Sequence, residues 1–115
     1  MMRKTDASSA FWTAVHQAAL ALQTRDFDSS RPMIANAMAM NMDAPEPHNL
    51  LGIMYELQGD DRAARQHYRA AYALDPTYKP SCRNLERLAL YGWNATSSAI
   101  DFGFPVQVPE DQRPG

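Results

Sequence analysis

The chain has 115 residues, 45% of them hydrophobic and 21% charged, with 11 basic and 13 acidic side chains, which fits one small globular domain of ordinary composition. Its single cysteine, Cys82, excludes an internal disulfide, and the near-neutral balance lacks the basic cluster that nucleic-acid binding needs to release counterions from phosphate. The charge is unevenly placed: residues 1–98 carry ten basic and ten acidic groups, so the net charge of -2 belongs to residues 99–115, where Asp101, Glu110 and Asp111 stand against Arg113.

At the start, Arg3 and Lys4 resemble the opening of a signal peptide, but Asp6, Ser8-Ser9 and His16-Gln17 break the apolar run that a signal requires. The uncharged stretch from Ala7 to Thr24 holds His16, Gln17 and Gln23, too polar to cross a bilayer. These features predict a cytoplasmic protein with no membrane partner.

Hydrophobic periodicity and end signals then predict five helices, at about residues 8–23, 27–41, 46–58, 61–74 and 78–91. Arg25-Asp26 and Gly59-Asp60 each end one helix and begin the next, with Asp accepting from free amides and Gly tolerating the left-handed cap. Pro32 falls in the first turn or two of the second helix, where a missing amide costs little. Leu74-Asp75-Pro76 stops the fourth, because Pro76 cannot continue it and disfavours helical geometry at Asp75. After Gly92 the period stops, and three prolines and two glycines point to extended or irregular structure. The expected fold is all-α, with antiparallel helix pairs over residues 8–92, a lead-in at 1–7 and an irregular tail at 93–115.

The chain repeats itself. A shift of 34 residues lays Ala18 on Gly52, Asp26 on Asp60, Ser30 on Ala64, Ile34 on Tyr68, Ala37 on Ala71 and Met40 on Leu74. Small residues at 18, 52, 64 and 71 mark close approach between helices. The unit from Pro45 to Tyr78, with Leu51-Gly52, Tyr55, Gly59-Asp60, Ala64, Tyr68, Ala71 and Leu74-Asp75-Pro76, resembles the tetratricopeptide repeat family, with His48 where its consensus has Trp. The unit from Phe11 to Ala44 is a degenerate copy, and a third begins at Lys79 with its first helix only.

That resemblance implies a right-handed superhelix whose first helices line a concave, peptide-binding groove. Its groove positions fall on Trp12, Val15, Ala19, Leu22 and Gln23; on Glu46, Asn49, Ile53, Glu56 and Leu57; and on Pro80, Arg83, Arg87, Leu90 and Tyr91. Such a groove is apolar at its first helix and basic at its last. Arg83 and Arg87 lie four apart and could share one carboxylate, or simply solvate a terminal helix. The carboxylate clamp of chaperone-binding members would need Lys and Asn where this chain has Val15, Ala19, Leu50, Pro80 and Asn84, which argues against a chaperone co-factor.

Little else points to chemistry. His16, His48 and His67 fall on three different helices with no Cys or carboxylate at a ligand spacing, so packing roles are expected and no metal site or cofactor. Cys82 occupies a place that prefers a large apolar residue and reads as a packing thiol rather than a nucleophile. Met33 and Met54 read as gap-fillers in the core, whereas Met38, Met40 and Met42 alternate and cannot form one helical face. Asn94-Ala95-Thr96 matches the glycosylation pattern, which has no use without secretion. Arg62, Arg65 and Arg69 share one side of the fourth helix, as solvated faces commonly do.

The tail is too apolar for a solvated linker. Trp93, Ile100, Phe102, Phe104 and Val106 should cover the last helix around Leu85, Leu88, Ala89 and Leu90, enter the groove, or dock on another molecule. Glu110 and Asp111 would complement Arg83 and Arg87. Together these features predict a non-enzymatic interaction module, with no catalytic residue, that binds a protein or peptide in its groove and is regulated by its tail. The alternative is a self-associating structural protein whose tail or end helix docks on a neighbouring copy.

Overall fold

The computed structural model describes residues 4–92 and 99–104, with side chains of the first helix described from Ser9 onward. Five helices follow in order: α1 (Lys4–Gln23), α2 (Phe27–Met40), α3 (Glu46–Leu57), α4 (Asp61–Leu74) and α5 (Lys79–Tyr91). The fold is all-α, with no strand among the described residues. Boundaries expected from the sequence hold to within a residue from α2 onward, and α1 begins at Lys4 rather than near residue 8. Pro32 lies inside α2 without displacing its start at Phe27.

The 34-residue period recurs in the backbone. Asp26 caps α2 by accepting from Ser29 N at 3.1 Å, and Asp60 caps α4 by accepting from Ala63 N at 3.0 Å. Asp26 N donates to Ala21 O and Asp60 N to Tyr55 O, both at 2.9 Å. At the far ends, Asn41 (φ -151, ψ 95) and Asp75 (φ -152, ψ 97) terminate α2 and α4 in the same extended conformation. Each tight turn also needs a left-handed residue: Gly59 (φ 84) supplies one, and Arg25 (φ 58) adopts it against the usual Cβ penalty.

Turns this short fold successive helices back on one another. α1 packs on α2 and α3 on α4, while α5 leans on α4 and α3 also touches α1. One core runs through both hairpins, from Phe11, Val15 and Leu22 through Ile34, Leu50 and Ile53 to Tyr68 and Leu88. Helix separation is set locally: a Cβ at Gly52 would overlap the Tyr68 ring. In the first hairpin the matching pair is Ala18 and Ile34, both fully buried, where a smaller partner leaves room for a methyl. Met54 is fully buried and Met33 and Met38 half-buried against the core, whereas Met40 and Met42 are exposed. Cys82 is half-buried, its Sγ 3.6 Å from Tyr78 O, as a packing thiol would be.

Candidate functional site

The face shared by α1, α3 and α5 is occupied by residues 100–104. Ile100 is 9% exposed and belongs to the core cluster, and Phe102 and Phe104 pack against it. The tail residues Trp93 and Val106, the acidic pair Glu110 and Asp111, and the Asn94-Ala95-Thr96 pattern lie outside the described residues.

Asp101 is the residue the groove holds. Asn84, fully buried on α5, accepts from Asp101 N at 2.8 Å through Oδ1 and donates to Asp101 O at 2.9 Å through Nδ2. One side-chain amide thus engages the N–H and C=O of a single residue, as a neighbouring strand would. Asn49, fully buried on α3, donates to the same carbonyl at 3.0 Å and accepts from Asn84 Nδ2 at 3.0 Å. The Asp101 carboxylate takes Arg83 Nη1 at 3.0 Å on one oxygen and Gly103 N at 2.9 Å on the other. Arg83 is 67% exposed, so that pair contributes little stability in water.

Behind the asparagines lies an ion pair. Arg87 donates to Glu56 through both nitrogens, at 2.6 and 2.7 Å, with each side chain 8% exposed. Tyr68 Oη donates to Glu56 Oε1 at 2.8 Å, and Arg87 Nη2 reaches Asn84 Oδ1 at 3.5 Å. Burial, followed by the Glu56 charge, pushes the Tyr68 phenol well above its ordinary value and keeps it a donor. Burial alone would lower the Arg87 pKa, but its bonds and charge contact with Glu56 more than reverse this. Among the described residues, Arg87 Nε is buried without a hydrogen-bond partner.

The predicted groove residues differ in what they face. Val15, Ala19, Leu22 and Ile53, at 0–2% exposure, are already inside the core and offer no free surface. Asn49, Glu56, Arg83 and Arg87 form the polar part just described, with Glu46 half-buried beside it. Trp12 is 46% exposed at the outer edge of α1, where Ser9, Thr13, His16, Gln17 and Phe104 line an open depression of about 590 Å³. Gln23, Leu57 and Pro80 are half-buried, and Leu90 and Tyr91 are exposed at the end of α5.

One expectation is corrected. Arg83 and Arg87 do not share a carboxylate: Arg87 points into the core and is neutralised by Glu56, while Arg83 meets Asp101. The three histidines stand on three helices, and two of them pack together. His48 and His67 stack at 6.1 Å between ring centroids, and Tyr55 stacks on His67 at 5.3 Å with rings 3° from parallel. Burial lowers both histidine pKa values, and the charge of His48 lowers that of His67 further. His48 is the residue standing at the consensus Trp position, which was the available signal for a flat stacked ring there. No group of three or more metal-ligating side chains gathers among the described residues.

Sequence reasoning also passed over Tyr78 and Gly103. Burial, then the Glu46 and Asp101 carboxylates, push the Tyr78 phenol upward. Burial, together with the charge of Asp75, raises the Glu46 pKa. On the opposite side of the molecule, Arg62, Arg65 and Arg69 border a depression with Asp61 and Gln66. Arg65 donates to Leu88 O at 3.2 Å, capping α5 rather than lying free. No helix among the described residues is long and apolar enough to cross a membrane.

Fold and site together define an all-α chain of two helical hairpins and a fifth helix that holds residues 100–104 of its own tail. Comparison with family models, with curated proteins and with solved structures returns no match.

Proposed function

We propose that the protein is a non-enzymatic peptide-binding module of tetratricopeptide type, whose groove recognises an extended segment of a partner and is held closed by its own residues 100–104. The observation that carries this reading is the paired engagement of Asp101 N and O by Asn84, reinforced by Asn49. Two buried amides aimed at one backbone recognise a peptide conformation, which is what a peptide reader requires. The 34-residue recurrence of caps and turns supports the family assignment. A cytoplasmic location and the absence of catalysis belong to the same proposal.

Replacing Ile100 and Phe102 with Asp in the full chain should free the tail while leaving the helices intact by circular dichroism. The freed groove should then bind a peptide of residues 99–104 in the micromolar range, whereas the unmodified chain should resist it, because a tethered tail competes at an effective concentration in the mM range. A folded variant with a released tail that ignores the peptide would remove this reading.

A further inference from the structure

We infer that the groove reads a specific five-residue order, large apolar, Asp or Asn, aromatic, Gly, aromatic, and that its external occupant is a segment of a partner protein presenting that order in the turned conformation of residues 100–104. This rests on the peptide-reading function above and adds its ligand.

Each position of the order answers to a contact. The first is set by Ile100, 9% exposed and part of the core cluster. The second must be a non-proline residue, because its N–H donates to Asn84 Oδ1. Its side chain must be a short acceptor, Asp or Asn, because one oxygen accepts from the amide two residues on. Glu is too long to close that turn, and the exposed contact of Asp with Arg83 adds little. Phe102 and Phe104 then return to the apolar wall, with the Phe104 ring 5.4 Å from that of His16.

Glycine at the fourth position is required twice over. Gly103 has φ +86, which side-chain-bearing residues rarely adopt. A Cβ there would also overlap the Tyr78 hydroxyl and lie 3.6 Å from Pro80 Cγ. Tyr78 is half-buried at the start of α5, and its hydroxyl end would have to shift to admit a Cβ. Tyr78 is therefore a specificity-determining residue of the groove.

Competition sharpens the code. A foreign segment must displace a tail tethered to the same domain, so one matching only the backbone contacts loses to the tail, which makes those contacts and the apolar ones as well.

The test uses two full chains: one carrying Ile100→Asp with Phe102→Asp, which frees the groove for peptide, and one carrying Gly103→Ala, whose still-tethered tail should open about tenfold more often. Circular dichroism checks the helices, and hydrogen exchange at Asp101 reads tail release. Fluorescent peptides of residues 99–104, with the natural Gly or with Ala in its place, are then titrated in. The natural peptide should bind at least about tenfold tighter, the cost of a left-handed non-Gly residue. Equal binding of the two peptides, or unchanged Asp101 protection in the Gly103→Ala chain, overturns the code and leaves the peptide-reading function standing. A released tail with neither peptide bound overturns the peptide-reading function itself. Sedimentation of the unmodified chain should show a monomer at all concentrations; a dimer that dissociates on Gly103→Ala would place a second copy in the groove and overturn the assignment to a foreign partner.

Discussion

The two hairpins share a backbone and differ in what they put on the groove side. Positions 15, 19 and 22 on α1 are Val, Ala and Leu, all buried; 34 residues on, α3 carries Asn49, Ile53 and Glu56. The α1 wall is simply core. The α3 wall is a polar shelf that only works with α5 beside it, since Asn49 needs Asn84 and Glu56 needs Arg87. One repeat geometry therefore packs as core at one end and holds Asp101 at the other, by exchanging a few residues on a constant frame.

Breaking the polar shelf should have the largest effect. Glu56→Ala leaves the Arg87 charge buried and unpaired and should cost about 3–5 kcal/mol in urea unfolding. Giving α3 and α5 the apolar pattern of α1, with Glu56→Leu and Arg87→Met together, should recover most of that stability. The recovered protein should still lose tail docking, because Arg87 also braces Asn84.

A smaller effect separates the helix contacts. Gly52→Ala forces a methyl against the Tyr68 ring and should destabilise by about 1–3 kcal/mol of overpacking, less the ~1 kcal/mol gained from helix propensity. Ala18→Gly, its counterpart, removes a tolerated methyl and should cost only that ~1 kcal/mol. A Gly52→Ala chain stabilised by the full ~1 kcal/mol of helix propensity would mean that Tyr68 does not set the spacing.

The turns should respond with opposite signs. Gly59→Ala places a Cβ at φ 84 and should cost about 1 kcal/mol, whereas Arg25→Gly relieves φ 58 and should stabilise by up to about 1 kcal/mol. Thermal melts of both variants check this.

The smallest difference is in pH response. His48 and His67 have pKa values lowered below 6.5 in the folded state. The unfolded chain therefore binds protons first, and stability should be complete above that value and decline as pH falls through it. Replacing both His48 and His67 with Gln should flatten this slope, as measured by chemical denaturation between pH 7.5 and 5; an unchanged slope would place its origin outside this pair.

Most of the helical frame was legible because its signals are local. Asp26, Asp60 and Pro76 punctuate the chain, and the 34-residue match aligns the close-packed positions. The tail's entry into the groove could be anticipated from its apolar composition, but the contact of Asp101 with Arg83 was not anticipated; Glu110 and Asp111 lie outside the described residues. The Glu56–Arg87 pair spans 31 residues, beyond any local rule. Opposite charges at groove positions of adjacent repeats were nevertheless a readable hint, obscured by treating each groove residue as facing a partner. Stacking of His48 on His67 was hidden for the same reason, since it joins two helices rather than two neighbours in sequence.

The central claim is that Asp101 is bound through its backbone in the groove of its own chain. Amide hydrogen exchange at Asp101 tests it most directly, because that N–H donates to the buried Asn84 side chain. Protection of at least about a hundredfold over an open chain is predicted, lost on Asn84→Ala. Exchange at the open-chain rate in the unmodified protein would contradict the account.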